Sequence, residues 1–209
     1  MDKTSNSVSA ERAQGAREYG RVVVKAGTTL LTNETKGLDK SLLSDLVGQI
    51  VQIRHEGREV LLVTSGAVAA GRTVVGGRAE RSDIPFRQVL AAVGQGHLIR
   101  AYEEQFGRRG TLVAQAMLTR RDLSDRLGYL NVRNTLLALL ELGVVPVINE
   151  NDVVAVDEIE GQTFGDNDTL SAMVANLVDA DLLVLLGDVD GLFSGDPHID
   201  SKATLIKRV

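Results

Sequence analysis

From residue 21 onward, short and wholly apolar runs alternate with longer segments whose apolar residues recur every three or four positions. The runs are RVVVKA (21–26), EVLLVT (59–64), TLVAQAML (111–118), VVPVIN (144–149) and DLLVLLGD (181–188). Each is rich in Val and Leu and lacks polar alternation, as expected of strands covered on both faces of a parallel sheet. Between them, residues 39–56 place Leu42, Leu43, Leu46, Val47, Ile50 and Ile53 on one stripe, with Asp39 as N-cap and Gly57 as the C-terminal stop. Similar periodicity predicts helices over 87–106, over 128–142 and from Asp168 to about Val178. The strand–helix–strand repetition predicts an α/β domain, with a mainly parallel sheet carrying helices on both faces. The segment 153–164, VVAVDEIEGQTF, alternates in polarity and holds one glycine, which predicts a hairpin excursion from that sheet.

Open α/β sheets bind ligands at the carboxyl ends of their strands. The residues following four of the runs are KAGTT (25–29), TSGAVAAG (64–71), NEND (149–152) and GDVDG (187–191). Glycine and hydroxyl loops that lead into helices let backbone N–H groups approach an anion. The same small residues also make ordinary tight turns, but two such loops beside Lys25 favour phosphate. An ammonium at the end of a buried strand needs a counter-charge, either a phosphate oxygen or a carboxylate such as Asp168. The knots Asn149–Asp152 and Asp166–Asp168 could hold an ammonium group, orient a lysine, sit near Mg²⁺ through waters, or cap a helix. Of Asp166 and Asp168, one is expected to cap the helix and the other to face the site, and the sequence leaves open which.

Composition narrows these choices. A chain of 209 residues supports one sizeable domain, and its 28 acids against 23 bases give a net charge of −5. Nucleic-acid and anionic-membrane binding are therefore disfavoured. The absence of cysteine removes thiolate metal sites and fits a cytoplasmic protein. No apolar stretch approaches the ~20 residues of a membrane span. Residues 1–19 read as a mobile polar tail and 20–209 as the domain. The P-loop pattern is absent, GQGHLIR (94–100) does not follow a strand, and the three histidines share no metal-ligand spacing, so no metal ligands are assigned.

Taken in order, VVVKAGTTLLT, LLVTSGAVAAGR, LAAVGQGHLI, LNVRNTLLALLELGVVPVINENDVV, FGDNDTLSAMVA and LLVLLGDVDGLFSGDP resemble the glutamate 5-kinases of the amino acid kinase superfamily. The resemblance spans about residues 20–209, and NENDVV followed by GDNDTLSA is its most specific part. It implies a three-layer αβα sandwich that transfers the γ-phosphoryl group of MgATP to the side-chain carboxylate of L-glutamate, the first step of proline synthesis. By motif position, Lys25 would stabilise the phosphoryl group and Asp168 would organise that lysine. Ser65, Asp152 and Asn167 would hold glutamate, and Asp166 would support the substrate loop. Gly27, Thr28, Gly187 and Asp188 would contact the nucleotide. The resemblance also implies an oligomer inhibited by proline.

Departures are Ala26 in place of a larger aliphatic residue, Gly187 in place of a threonine, and His198 in place of an arginine. A Gly-rich GTGGMxTK segment and an RNA-binding-like PUA domain, both expected further on, are not found before Val209. The chain is therefore expected to be a fragment that lacks the C-terminal part of the fold and has little kinase activity by itself. Two alternatives are the kinase half of a bifunctional pyrroline-5-carboxylate synthetase and a catalytically impaired amino-acid-binding module.

Overall fold

The computed structural model describes residues 19–33, 37–76, 83–155 and 166–208. Five strands, β1 (Arg21–Ala26), β4 (Glu59–Thr64), β5 (Val113–Leu118), β6 (Val145–Glu150) and β7 (Leu182–Leu186), form a sheet in the order β5-β6-β4-β1-β7. Every neighbouring pair is parallel, so all five carboxyl ends lie along one edge. A two-stranded antiparallel ribbon, β2 (Thr32–Asn33) with β3 (Gly37–Leu38), stands apart from it.

Strand parity sorts the core into two halves. On one face Val22, Val24, Val60, Leu62 and Val147 pack against helix α2 (Lys40–His55) and the long helix α4 (Ile84–Gly107). On the other, Val23, Leu61, Val63 and Ile148 pack against α6 (Arg126–Glu141) and α7 (Asp166–Leu177). The result is a three-layer αβα arrangement, as the alternation of runs and periodic segments predicts. Helices α1 (Thr28–Leu31), α3 (Ala67–Val75) and α5 (Arg120–Ser124) complete the set among the described residues.

Local chemistry accounts for the helix limits. The Asp39 carboxylate accepts from Ser41 N–H and Leu42 N–H, and Gly57 takes φ +85 after the last turn of α2. The buried stripe of α2 is turned toward Val51 relative to the one read in the sequence. Val51 is buried, whereas Leu42 in the first turn is 42% exposed. The run at 111–118 also begins later than its polarity suggests. Thr111 is buried and accepts from the Arg54 guanidinium, Leu112 points outward, and β5 starts at Val113. Residues 153–155 lie in a turn, with Val154 N–H and Ala155 N–H donating to the Asn151 carbonyl. The rest of the expected hairpin, like the tail at 1–18, lies outside the described residues.

The segment TSGAVAAG is a loop only at Ser65 and Gly66, and α3 begins at Ala67. Its small residues let α3 and α4 approach closely. A Cβ on Gly71 would lie 1.9 Å from the Leu90 carbonyl oxygen, and one on Gly94 1.8 Å from that of Ala67. Gly94 of the GQG stretch is thus a helix-packing residue.

The C-terminal end of α7 is held from two directions. Arg21 donates to the Val178 carbonyl and Arg133 donates to the Leu177 carbonyl, while Arg133 also pairs with Asp179 at 2.5 Å. Cations at a helix C-terminus complement its dipole and its unbonded carbonyls.

Beneath the sheet edge, Tyr102 is fully buried, and its hydroxyl lies 2.8 Å from Thr64 Oγ1. Burial pushes the phenol well above its ordinary range, and the Thr64 hydrogen bond offsets this only in part. Because the folded state holds the proton more tightly, the stabilisation is fully present below the unfolded pKa of about 10 and is lost as pH rises above it. Denaturant midpoints should therefore fall more steeply above about pH 10 for the wild type than for Tyr102→Phe. Identical alkaline slopes would show that the phenol is not protected.

Candidate active site

The site is assembled where β1, β4, β6 and α7 converge. Lys25 has the opposite parity to Val24 and Ala26, so its side chain leaves the sheet toward α7. There Nζ meets Asp168 Oδ1 at 2.6 Å, with 13% of the lysine side chain exposed and 51% of the aspartate. Asp168 stands in the first turn of α7, where the helix dipole also favours a carboxylate. Asp168, one of the two acids considered for capping, thus faces the lysine. Asp166 opens the helix, and its side chain lies outside the described part.

Next to this pair, Asn167 Nδ2 donates to Ser65 Oγ at 2.7 Å and to Asn149 Oδ1 at 3.4 Å. Asn149, at the end of β6, is 2% exposed, and its Nδ2 donates to Gln95 Oε1 at 2.8 Å. Ser65 is fixed through its backbone, since its N–H donates to the Ala26 carbonyl at 3.1 Å. The ends of β1, β4 and β6 and the start of α7 are therefore cross-linked at their polar tips. Asn167 Oδ1 is buried and has no hydrogen-bond partner among the described residues. Such an acceptor is costly unless a ligand or water supplies a donor.

Beyond Gln95 opens a cleft of about 240 Å³ between α4 (Ala91, Ala92, Gln95), β5 (Gln115, Met117) and the turn at Asp152 and Val153. Gln88 ties that turn to α4 by donating to the Val153 carbonyl at 3.1 Å. Asp152 therefore lies on the cleft side of the amide chain, and Lys25 and Asp168 lie on the other.

The residues expected to contact a nucleotide occupy the β1 and β7 ends. Gly27 N–H donates to the Leu186 carbonyl at 3.3 Å, which sets the KAGTT turn against the segment leading into Gly187 and Asp188. A Cβ on Gly27 would lie 3.3 Å from Lys25 Nζ, so the small residue leaves room for the ammonium. Thr28, Gly187 and Asp188 are exposed. The sequence offered little notice of Gln95. Its only signal was a polar side chain between two glycines, following the apolar stretch Val89–Val93, and its meeting with Asn149 spans 54 positions.

The family model for the amino acid kinases matches residues 20–209. The chain belongs to the amino acid kinase family. Among curated members it is similar to the glutamate 5-kinase of Dehalococcoides mccartyi, at 54% identity over 191 residues, which is 91% of this chain and 51% of that protein. It is 50% identical over 193 residues to the glutamate 5-kinase of Geobacter metallireducens, covering 92% of this chain and 51% of that protein. The chain spans about half the length of the curated relatives it matches. Among solved structures, the UMP kinase of Bacillus anthracis superimposes with a TM-score of 0.58 at 20% identity, over 90% of this chain and 72% of that one. That likeness extends the amino acid kinase fold to the described sheet and its flanking layers.

Proposed function

We propose that this chain carries the amino-acid pocket and phosphoryl-transfer lysine of a glutamate 5-kinase, which converts L-glutamate and MgATP to L-glutamyl 5-phosphate and ADP. The observation that carries the reading is the convergence of the Lys25–Asp168 pair and the Ser65–Asn167–Asn149 cluster at one sheet edge. The identity to glutamate 5-kinases supports the choice of acceptor.

The chemistry needs little beyond position and charge. A glutamate side-chain carboxylate is already anionic, so one oxygen attacks the γ-phosphorus while the bond to the ADP oxygen breaks, and no general base is required. The Lys25 ammonium faces the charge that accumulates on the phosphoryl oxygens, and Asp168 keeps it aimed there. Ser65, Asn167 and Asp152 hold glutamate, and Asp166 supports the loop before α7. Gly27 and Thr28 at the β1 end, with Gly187 and Asp188 at the β7 end, line the nucleotide side. Mg²⁺ arrives with ATP as part of the substrate. Proline competing for the amino-acid pocket, assembly with further copies and a cytoplasmic location belong to the same reading.

The test is an assay of the natural gene product in which glutamyl phosphate is trapped as the hydroxamate. ATP-dependent product with glutamate is expected, whereas product only with another acceptor would remove the proposal. Asp152→Ala should raise the glutamate KM chiefly, with kcat and the thermal midpoint little changed. A fall in midpoint matching the loss of activity would instead make Asp152 a structural residue of its turn.

A further inference from the structure

Three carboxamides and a hydroxyl stand in series across four elements. Gln95 Oε1 on α4 accepts from Asn149 Nδ2 at 2.8 Å. Asn149 Oδ1 accepts from Glu150 N–H at 2.9 Å and from Asn167 Nδ2 at 3.4 Å, and Asn167 Nδ2 donates to Ser65 Oγ at 2.7 Å. A carboxamide has one accepting end and one donating end, so fixing one member restricts the next. The Glu150 N–H holds the Asn149 oxygen only through the adjacent residue. Gln95 holds the nitrogen from a separate helix, and the two together leave a single orientation. Asn167 must then turn its nitrogen toward Asn149 and Ser65, which leaves Oδ1 buried and without a donor among the described residues. The Ser65 hydroxyl accepts from Asn167 and so keeps its proton free to donate.

We propose that Gln95 is a positioning residue of the amino-acid site: by ordering Asn149 and Asn167 it leaves the pocket a buried acceptor for a ligand ammonium and a hydroxyl donor for a ligand carboxylate. This rests on the glutamate reading above and adds a residue and a polarity to it. A ligand with a free α-ammonium satisfies Asn167 Oδ1, whereas the same dicarboxylate without nitrogen leaves that acceptor unpaired. Selection against the nitrogen-free analogue therefore depends on a side chain that does not itself hold the nitrogen.

The experiment compares wild type, Gln95→Leu and Gln95→Glu. Leucine removes the acceptor. Glutamate retains an oxygen that accepts from Asn149 Nδ2, and its charge stays hydrated because Gln95 lines the open cleft. Hydrogen exchange at the Asn149 side-chain amide, followed by NMR, should be slow in wild type and Gln95→Glu and fast in Gln95→Leu. Calorimetry with L-glutamate and with glutarate should show a preference for glutamate in the first two proteins. In Gln95→Leu that preference should shrink roughly tenfold or more, the range of a lost hydrogen bond to a charged group. A purely structural role would weaken both ligands together and leave their ratio intact. Unchanged Asn149 exchange in Gln95→Leu, or an unchanged ratio, overturns the proposal. Failure of the wild type to bind glutamate overturns the ligand assignment and the glutamate reading with it, and the exchange measurement still decides whether Gln95 orders the amides.

Discussion

Replacing Lys25 by alanine is expected to lower kcat for glutamyl phosphate formation by roughly 10²-fold or more, with a much smaller change in the glutamate KM. The ammonium sits at the end of a central strand with 13% of its side chain exposed, so its charge acts in surroundings poorer in water than the surface. Charge develops on the phosphoryl oxygens only as the group moves, and an interaction made at that stage appears in kcat. Stability should suffer little, because Asp168 loses its partner while half exposed and at a helix N-terminus, where water and the dipole support it. Lys25→Arg restores charge but brings a planar, wider head group into a space where even a Cβ on Gly27 would lie 3.3 Å from Nζ, so recovery should be partial. The hydroxamate assay beside a thermal melt checks this. An unchanged kcat, or a midpoint that collapses with activity, would remove Lys25 from the transition state.

The largest effect on stability is expected at a contact between two helix backbones. Gly94→Ala should cost about 3 kcal/mol or more, at the upper end of overpacking and beyond most point substitutions. Its new methyl group would lie 1.8 Å from the Ala67 carbonyl oxygen and 2.4 Å from Gly71 N, both backbone atoms of α3. Backbone cannot rotate aside as a side chain can, so α3 must shift bodily. Its first turn follows Ser65 and Gly66, which makes the substrate side of the site move with it. Gly96→Ala in the same helix is the control: nothing lies within 4 Å of that Cβ, and the gain in helix propensity should stabilise by up to about 1 kcal/mol. Urea unfolding of both variants decides the matter, and equal midpoints would show that the close approach is not rigid.

The sheet, its parallel sense and the positions of its major helices were legible in the apolar runs, because burial on both faces leaves no alternation. Asp39 and Gly57 marked the limits of α2 because capping is chemistry within a few residues. Lys25 and Asp168 could each be picked out as site residues, the one from a charge ending a buried run and the other from a carboxylate opening a helix. Their meeting at 2.6 Å joins residues 143 positions apart (168 − 25), and it required the register of β1 beside α7. The packing role of Gly94 was not legible for the same reason. Glycines that serve a phosphate and glycines that serve a helix crossing look alike until the opposing backbone is known.

What the sequence by itself determined is therefore local and periodic: the run lengths, caps, net charge and the motif set that places the chain among the amino acid kinases. Only the tertiary structure brought Asp168 to 2.6 Å from Lys25, joined Gln95 and Asn149 to the polar chain of Asn167 and Ser65, and left the Asn167 amide oxygen buried without a hydrogen-bond partner among the described residues. The physical reason is that hydrogen-bond polarity and close packing depend on the atom opposite. In this chain the atom opposite is supplied from tens of residues away.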